Sequence, residues 1–104
     1  MRLLDTWVDP PTGRSGGVLL FFHGGGYTMG STEDHLHLVA SLVRQSGISL
    51  LGVDYRLCPE DRFPAALDDG EAAYRWLLTN HPSPAGIGVS GISAGALLAT
   101  QLIY

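Results

Sequence analysis

The chain has 104 residues, enough for one small domain. Hydrophobic residues make up 45% of it and charged residues 15%, which indicates a globular protein with a buried core and excludes a disordered one. The net charge is -4 with only six basic residues, so no basic surface is available for nucleic acid or for an anionic membrane.

Targeting and metal signals are absent from the sequence. Cys58 is the single cysteine and cannot form an internal disulfide, which favours a reducing compartment and predicts a cytoplasmic location. No apolar stretch follows a basic N-terminal flank, so no signal peptide is expected, and the apolar runs are far too short to span a bilayer. No paired His or Cys residues have metal-ligand spacing.

The first half of the chain predicts an arm, a strand and a helix. Residues 1–17 are weakly patterned, although Trp7 and Val8 are compatible with a short strand or a docked arm. Residues 18–22 are continuously apolar, which is typical of a strand buried on both faces. Ser31 or Thr32 then caps a helix that ends at Gly47. Its predicted inward stripe consists of Leu36, Val39, Ala40 and Val43.

The second half repeats this alternation. Residues 48–55 form a second buried strand, and residues 65–79 form a helix that begins after Pro64. A third short buried strand, at residues 87–89, precedes a helix at residues 94–103. The small-residue face of the middle helix consists of Ala66, Gly70, Ala73 and Leu77.

This order of elements predicts an α/β fold, a parallel sheet of three central strands with helices on both faces. Right-handed crossovers between parallel strands place consecutive helices over such a sheet. Ligands of these folds bind at the carboxyl ends of the strands. Residues 23–26, residues 54–56 and Ser93 all lie at the carboxyl ends of predicted strands, so they are expected at one edge.

Residues 91–95 read Gly-Ile-Ser-Ala-Gly, a G-x-S-x-G pattern between a strand and a helix. A sharp turn of this kind exposes the serine as a nucleophile, and the flanking glycines let the chain pass close to itself. The alternative is an ordinary strand-to-helix turn. Residues 86–91 also match G-x-G-x-x-G, but these glycines lie within the strand, so we regard the match as chance.

A run of three glycines follows His23, at the end of the first buried strand. Consecutive glycines are costly to order, so such a run persists where backbone N–H groups must approach a substrate oxygen. A flexible loop is the alternative. His35 and His37 lie on the following helix and are expected to face solvent or to support a site indirectly, since their spacing does not suit a helical metal pair.

Four motifs together resemble the hormone-sensitive-lipase-like esterases, which are α/β-hydrolases that cleave carboxylic esters. They are HGGGY at residues 23–27, DYRLCPE at 54–60, FPAALDD at 63–69 and GISAG at 91–95. They occur in the family's order and cover most of the chain. The resemblance implies a partial α/β-hydrolase domain and a small-molecule ester as substrate. It implies no cofactor, because hydrolysis by a serine needs only water.

The resemblance also implies roles for individual residues. Ser93 would be the nucleophile, and the backbone N–H groups of Gly24, Gly25 and Ala94 would bind the oxyanion. Asp68 and Asp69 would be capping or network residues and not the catalytic acid. The expected supporting residues are His23, Gly26, Asp54, Arg56, Glu60, Gly91 and Gly95.

The sequence departs from the family in three places. Ile92 replaces the usual aspartate or threonine before the serine, and Ala96 replaces a frequent glycine. The family's acid and histidine come after the serine, whereas the eleven residues that follow Ser93 contain neither. We therefore expect a truncated hydrolase with little activity of its own. A catalytically dead ligand-binding fragment and a half-domain that associates through exposed sheet edges are the alternatives.

Overall fold

A computed structural model of the chain describes residues 5–11, 17–25, 29–57, 64–80, 86–92, 95–96 and 99–100. Its strands are β1 (Thr6–Val8), β2 (Val18–Phe22), β3 (Ser49–Val53) and β4 (Ile87–Gly91). A 3-10 turn, Thr32–His35, leads into α1 (Leu36–Ser46), and α2 spans Ala65–Asn80. Residues 95–96 and 99–100 are helical.

The four strands form one mixed sheet in the order β1-β3-β2-β4. The central strands β2 and β3 pair in parallel, and β4 pairs in parallel with the other side of β2. The predicted parallel α/β sheet is therefore confirmed for β2, β3 and β4. The structure adds an antiparallel strand, β1, on β3, so the sheet has four strands instead of the three predicted.

Apolar side chains cover both faces of the sheet, because β2 and β3 are buried on both sides. On one face, α2 packs through Ala73 and Leu77 against Leu20 and Phe22 of β2. On the opposite face, α1 packs against a second cluster, which contains Phe21, Val39, Val43 and Leu50. Helices on both faces were predicted, and the structure confirms them.

Two sequence-based expectations about burial are wrong. Within the predicted stripe of α1, Val39 and Val43 are buried, whereas Leu36 and Ala40 are exposed. Just before α1, in the 3-10 turn, the half-buried His35 ring packs against Phe21 in a T-shaped arrangement, with ring centroids 6.2 Å apart. The strand predicted as buried at residues 87–89 is mostly half-exposed, because β4 lies at the edge of the sheet.

The predicted N-terminal arm is a strand over part of its length. Trp7 pairs with Leu51, and its indole N–H donates to Asp9 at 2.9 Å. Asp9 in turn accepts a hydrogen bond of 2.6 Å from the buried Ser49. Residues 1–4 and 12–16 of the predicted arm lie outside the described residues.

Candidate active site

Three strand ends meet at one edge of the sheet. In the sheet register Phe22, the last residue of β2, lies beside Val53 of β3 on one side and beside Gly91 of β4 on the other. The segments that follow these strands are the glycine loop, residues 54–57 and the G-x-S-x-G turn. The motifs that the sequence predicts at one edge are therefore neighbours wherever the structure describes them.

The glycine loop begins inside the protein and turns back on itself. His23 and Gly24 are buried. Gly25 has a φ of 130°, a conformation that side chains other than glycine rarely adopt, and its carbonyl accepts a hydrogen bond of 3.2 Å from the N–H of Met29. The loop is thus closed between these two residues. Gly26 lies outside the described residues.

The His23 side chain lies beneath this loop. Its Nδ1 is 2.7 Å from the carbonyl oxygen of Gly24, and because a carbonyl only accepts, Nδ1 carries the hydrogen. The imidazole stacks on the ring of Tyr55, with centroids 4.2 Å apart and planes 4° apart. The Tyr55 hydroxyl donates to the backbone carbonyl of His23 at 2.7 Å. Gly30 lies close to the Gly24 carbonyl and to the Nδ1 side of the histidine ring.

The turn after β4 is attached to the end of β2. The N–H of Ile92 donates to the carbonyl of Phe22 at 3.1 Å, and the N–H of Gly95 donates to the carbonyl of Ile92 at 2.8 Å. A Cβ on Gly95 would overlap the carbonyl oxygens of Phe22 and His23, and a Cβ on Gly91 would overlap the backbone of Gly95. Both glycines of the motif therefore stand where backbone segments touch. Ser93 and Ala94 lie outside the described residues.

The two residues that depart from the family pattern have different surroundings. Ile92 is half-buried and packs against the cluster of Phe21, Val39, Val43 and Leu50, so its side chain joins the core beneath α1. Ala96 is exposed. Ile92 thus replaces a polar residue with an apolar contact that ties the turn to the sheet.

Asp54 follows β3 and holds the start of the 3-10 turn. Its Oδ1 accepts hydrogen bonds of 2.8 Å from both the N–H and the hydroxyl of the buried Thr32. The N–H of Asp54 donates to the carboxylate of Asp5 at 2.9 Å. This aspartate therefore joins β3, the N-terminal segment and the element that leads out of the glycine loop.

Arg56 connects the end of β3 to α2. Its backbone N–H donates to Asp69 at 2.7 Å, and its Nε lies 3.1 Å from both carboxylate oxygens of Asp69. Asp69 is buried, whereas Asp68 is exposed. Glu60, the third polar residue of this predicted network, lies outside the described residues.

Tyr55 and Thr32 also lie in this network, although the sequence predicted a role in the site for neither residue and indicated Thr32 only as a possible helix cap. Tyr55 belongs to the motif at residues 54–60, but the sequence did not indicate the hydrogen-bond partner of its hydroxyl. Its hydroxyl bonds to a carbonyl 32 residues away. Such a contact carries no local sequence signal, whereas glycine runs and strand-turn-helix patterns do.

The described part of the chain carries neither a membrane-spanning helix nor a metal-binding cluster. None of its helices has the length and hydropathy that crossing a bilayer requires. The described residues also contain no cluster of three or more His, Cys, Asp or Glu side chains arranged to bind a metal ion.

A comparison with protein families decides the classification. The family described as alpha/beta hydrolase fold matches residues 19–104, which is most of the chain. The chain belongs to the α/β-hydrolases. Similar solved structures include an esterase of the bacterial hormone-sensitive lipase family and a hormone-sensitive lipase from a metagenome library, in agreement with the resemblance of the motifs.

Curated relatives of this α/β-hydrolase chain include two hydrolases named for an acetyl group and for ethyl acetate. It is 44% identical to the acetyl-hydrolase of Streptomyces hygroscopicus over 93% of its own length and 32% of the relative's. It is 40% identical to the ethyl acetate hydrolase of Pseudomonas putida over 98% of its own length and 33% of the relative's. The chain therefore spans about a third of the length of these relatives.

The fold of the α/β-hydrolase chain also resembles solved esterases. The esterase EstE5, in a crystal soaked with p-nitrophenyl butyrate, has a TM-score of 0.88 and 44% identity, with 95% of this chain and 34% of that one covered. A hormone-sensitive lipase from a metagenome library has a TM-score of 0.81 and 47% identity, with 86% and 30% covered. In sequence and in structure alike, the chain matches about a third of the length of these proteins.

Proposed function

We propose that the chain contributes the nucleophile and the oxyanion site of a serine carboxylesterase. One observation supports this most strongly: Gly95 rests on the carbonyl groups of Phe22 and His23. This contact brings the G-x-S-x-G turn against the first residue of the glycine loop. A nucleophile and oxyanion donors must lie within a few ångströms of one reacting carbonyl, and the contact fits that requirement.

In the proposed reaction the Ser93 hydroxyl attacks the carbonyl carbon of a carboxylic ester and gives its proton to a base. The N–H groups of Gly24, Gly25 and Ala94 stabilise the negative oxygen of the tetrahedral intermediate. The intermediate collapses with release of the alcohol, which takes the proton from the base, and leaves an acyl group on Ser93. Water, activated by the same base, then releases the acid and regenerates the serine.

We assign supporting roles to the residues around these groups. His23 and Gly26 shape the glycine loop, and Gly91 and Gly95 permit the close turn around Ser93. Asp54, Arg56 and Glu60 hold the segment after β3 beneath the loop. The hydrogen bonds from Thr32 to Asp54 and from Arg56 to Asp69 support these assignments.

We further propose that the catalytic acid and histidine come from residues outside these 104. None of the four histidines follows Ser93, and the chain spans about a third of its relatives' length. We propose short acyl esters as substrates, because two relatives are named as an acetyl-hydrolase and an ethyl acetate hydrolase.

A chimera tests this proposal. The 104 residues replace the matching third of the Streptomyces hygroscopicus acetyl-hydrolase, which supplies the rest of the fold. We expect the chimera to hydrolyse p-nitrophenyl acetate and to react with a fluorophosphonate probe at Ser93. Ser93→Ala should abolish both. Ser90→Ala should leave them within about threefold, because Ser90 is half-buried in β4 and belongs to none of the groups assigned to the reaction.

The 104-residue chain alone should show no turnover above background, because a serine without its base retains only a small residual rate. A correctly folded chimera whose remaining activity is indifferent to Ser93→Ala would refute the assignment of the nucleophile.

A half-domain that becomes active on association remains a second candidate, and one observation favours it. β4 lies at the edge of the described sheet, and Ile87 and Val89 are only half-buried. An edge strand of this kind can pair with another chain. Esterase activity of the 104-residue chain that rises with the square of its concentration, with a dimer in sedimentation velocity, would support this candidate over the first.

A further inference from the structure

The glycine loop is held from beneath by hydrogen bonds to two consecutive carbonyl groups. The Tyr55 hydroxyl donates to the carbonyl of His23, and the Nδ1–H of His23 donates to the carbonyl of Gly24, each at 2.7 Å. The two rings are stacked almost in parallel and are both buried, at 3% and 0% exposure. Tyr55 and His23 therefore form one support, which solvent does not reach.

These two contacts determine which way the neighbouring N–H groups point. In a trans peptide the C=O group and the N–H of the next residue point in opposite directions. Because the carbonyl of His23 faces Tyr55, the N–H of Gly24 points away from Tyr55. Because the carbonyl of Gly24 faces the imidazole, the N–H of Gly25 points away from that ring. These are the two loop donors that the proposed reaction assigns to the oxyanion.

We propose that Tyr55 is a positioning residue, which orients the Gly24 and Gly25 N–H groups through its hydroxyl and through the stacked His23 ring. The catalytic consequence rests on the proposed function, whereas the orientation rests on the contacts alone. Glycine peptides rotate with little steric hindrance, so polar anchors must hold their planes. Donors held in advance stabilise a developing oxyanion more than donors that must first reorient.

The orientation is tested in the 104-residue chain by Tyr55→Phe, which removes the hydroxyl and keeps the ring. Tyr74→Phe, on α2, is the matched control. We expect the amide cross-peaks of Gly24 and Gly25 in a ¹H–¹⁵N spectrum to shift and broaden in Tyr55→Phe and to stay unchanged in Tyr74→Phe. A folded Tyr55→Phe chain with the wild-type Gly24 and Gly25 peaks would overturn the proposal.

The catalytic consequence is tested in the chimera with the same pair of variants. Tyr55→Phe should lower kcat for p-nitrophenyl acetate about tenfold and leave KM within about twofold, because misdirected donors weaken transition-state binding more than substrate binding. Unchanged kcat in an active chimera would overturn the catalytic role of Tyr55. A chimera without Ser93-dependent activity would instead refute the proposed function, and the amide spectra would still decide the orientation.

A second pair of variants decides the outcome if Tyr55→Phe does not fold. The side-chain amide of His23→Asn can donate from near the position of Nδ1, whereas that of His23→Gln lies near the position of Nε2. We expect His23→Asn to keep the Gly25 amide peak closer to its wild-type position than His23→Gln does. Equal shifts in the two variants, or the reverse order, would overturn the proposal.

Discussion

Gly95 illustrates how much the candidate site depends on single atoms. The absence of a side chain there lets the backbone after β4 rest on the carbonyls of Phe22 and His23. The same His23 carbonyl accepts the hydrogen bond from Tyr55. One peptide group is thus in contact with the turn that carries the nucleophile motif and with the support of the glycine loop.

Gly95→Ala should therefore destabilise the chain and disable the site. A methyl group at this position overlaps two carbonyl oxygens, and overpacking of this kind costs about 2–3 kcal/mol. We expect urea denaturation to show a loss of this size in the free energy of unfolding, and the chimera to lose its Ser93-dependent hydrolysis.

Gly47→Ala provides the control. Gly47 has a φ of 72° but open space around it, so an alanine there costs only the strain of the left-handed conformation, about 1 kcal/mol. We expect this variant to keep the hydrolytic activity of the chimera. Equal losses in Gly95→Ala and Gly47→Ala would argue against the close contact at Gly95.

At the scale of elements, side-chain hydrogen bonds hold the segments that leave the strands. Arg56 ties the end of β3 to α2 through Asp69, and Asp54 ties it to the 3-10 turn through Thr32. In each case a carboxylate accepts hydrogen bonds from a backbone N–H and from a side chain of the same partner. These connections place α2 and the 3-10 turn relative to the edge where the site lies.

Asp69→Ala should lower the free energy of unfolding by about 1–3 kcal/mol, because it leaves the N–H of Arg56 without its acceptor and removes a charged partner. The estimate stays in this range because the Arg56 side chain is 38% exposed and its ion pair is partly screened. Asp68→Ala is the control: this neighbouring aspartate is exposed in the first turn of α2, and its loss should cost less than about 1 kcal/mol. Denaturant titration of both variants measures the difference.

The sequence predicted the elements well where a local pattern determines them. Continuous apolar runs indicated β2 and β3, and small residues marked the face of α2, where Gly70 lies against the Phe22 ring. The sheet-facing side of α1 was partly mispredicted: helical spacing selected four apolar residues, but only Val39 and Val43 are buried. The ring contact between His35 and Phe21 joins two different elements, so no local pattern indicates it.

The candidate site was predictable only as a set of motifs. Gly24, Gly25, Asp54 and Arg56 all lie at the edge that the motifs predicted. The partners Tyr55, Thr32 and Asp5 were not predicted, since their hydrogen bonds join residues 22 to 49 positions apart. The roles of Ser93 and Ala94 remain predictions from the sequence.

At the scale of the whole molecule, β1 closes one side of the sheet and β4 forms the other. Only three residues of β1 are paired, and all three are half-buried. Trp7 compensates for this short length by packing against the core and meeting the edge of Trp76 on α2, with centroids 6.4 Å apart. The antiparallel strand is thus attached to a helix as well as to β3.

Trp7→Ala should lower the free energy of unfolding by about 2–3 kcal/mol, somewhat less than the loss of a fully buried aromatic side chain. The near-ultraviolet circular dichroism of Trp76 should also change, because its ring partner is removed. Leu78→Ala is the control: Leu78 is 51% exposed, and its truncation should change stability by less than about 1 kcal/mol. Similar losses in the two variants would contradict the proposed attachment of β1.

The central position of β2 has a consequence for how the protein is made. The Phe22 carbonyl, at the end of this strand, accepts a hydrogen bond from the turn after β4, and the His23 carbonyl that follows it accepts one from Tyr55, which follows β3. The glycine loop therefore gains both contacts only when β2 is paired with β3 and with β4. Pairings between distant parts of a chain form slowly, because loop closure must come first. During synthesis on the ribosome the glycine loop emerges well before the G-x-S-x-G turn, so the two cannot meet until β4 has been made.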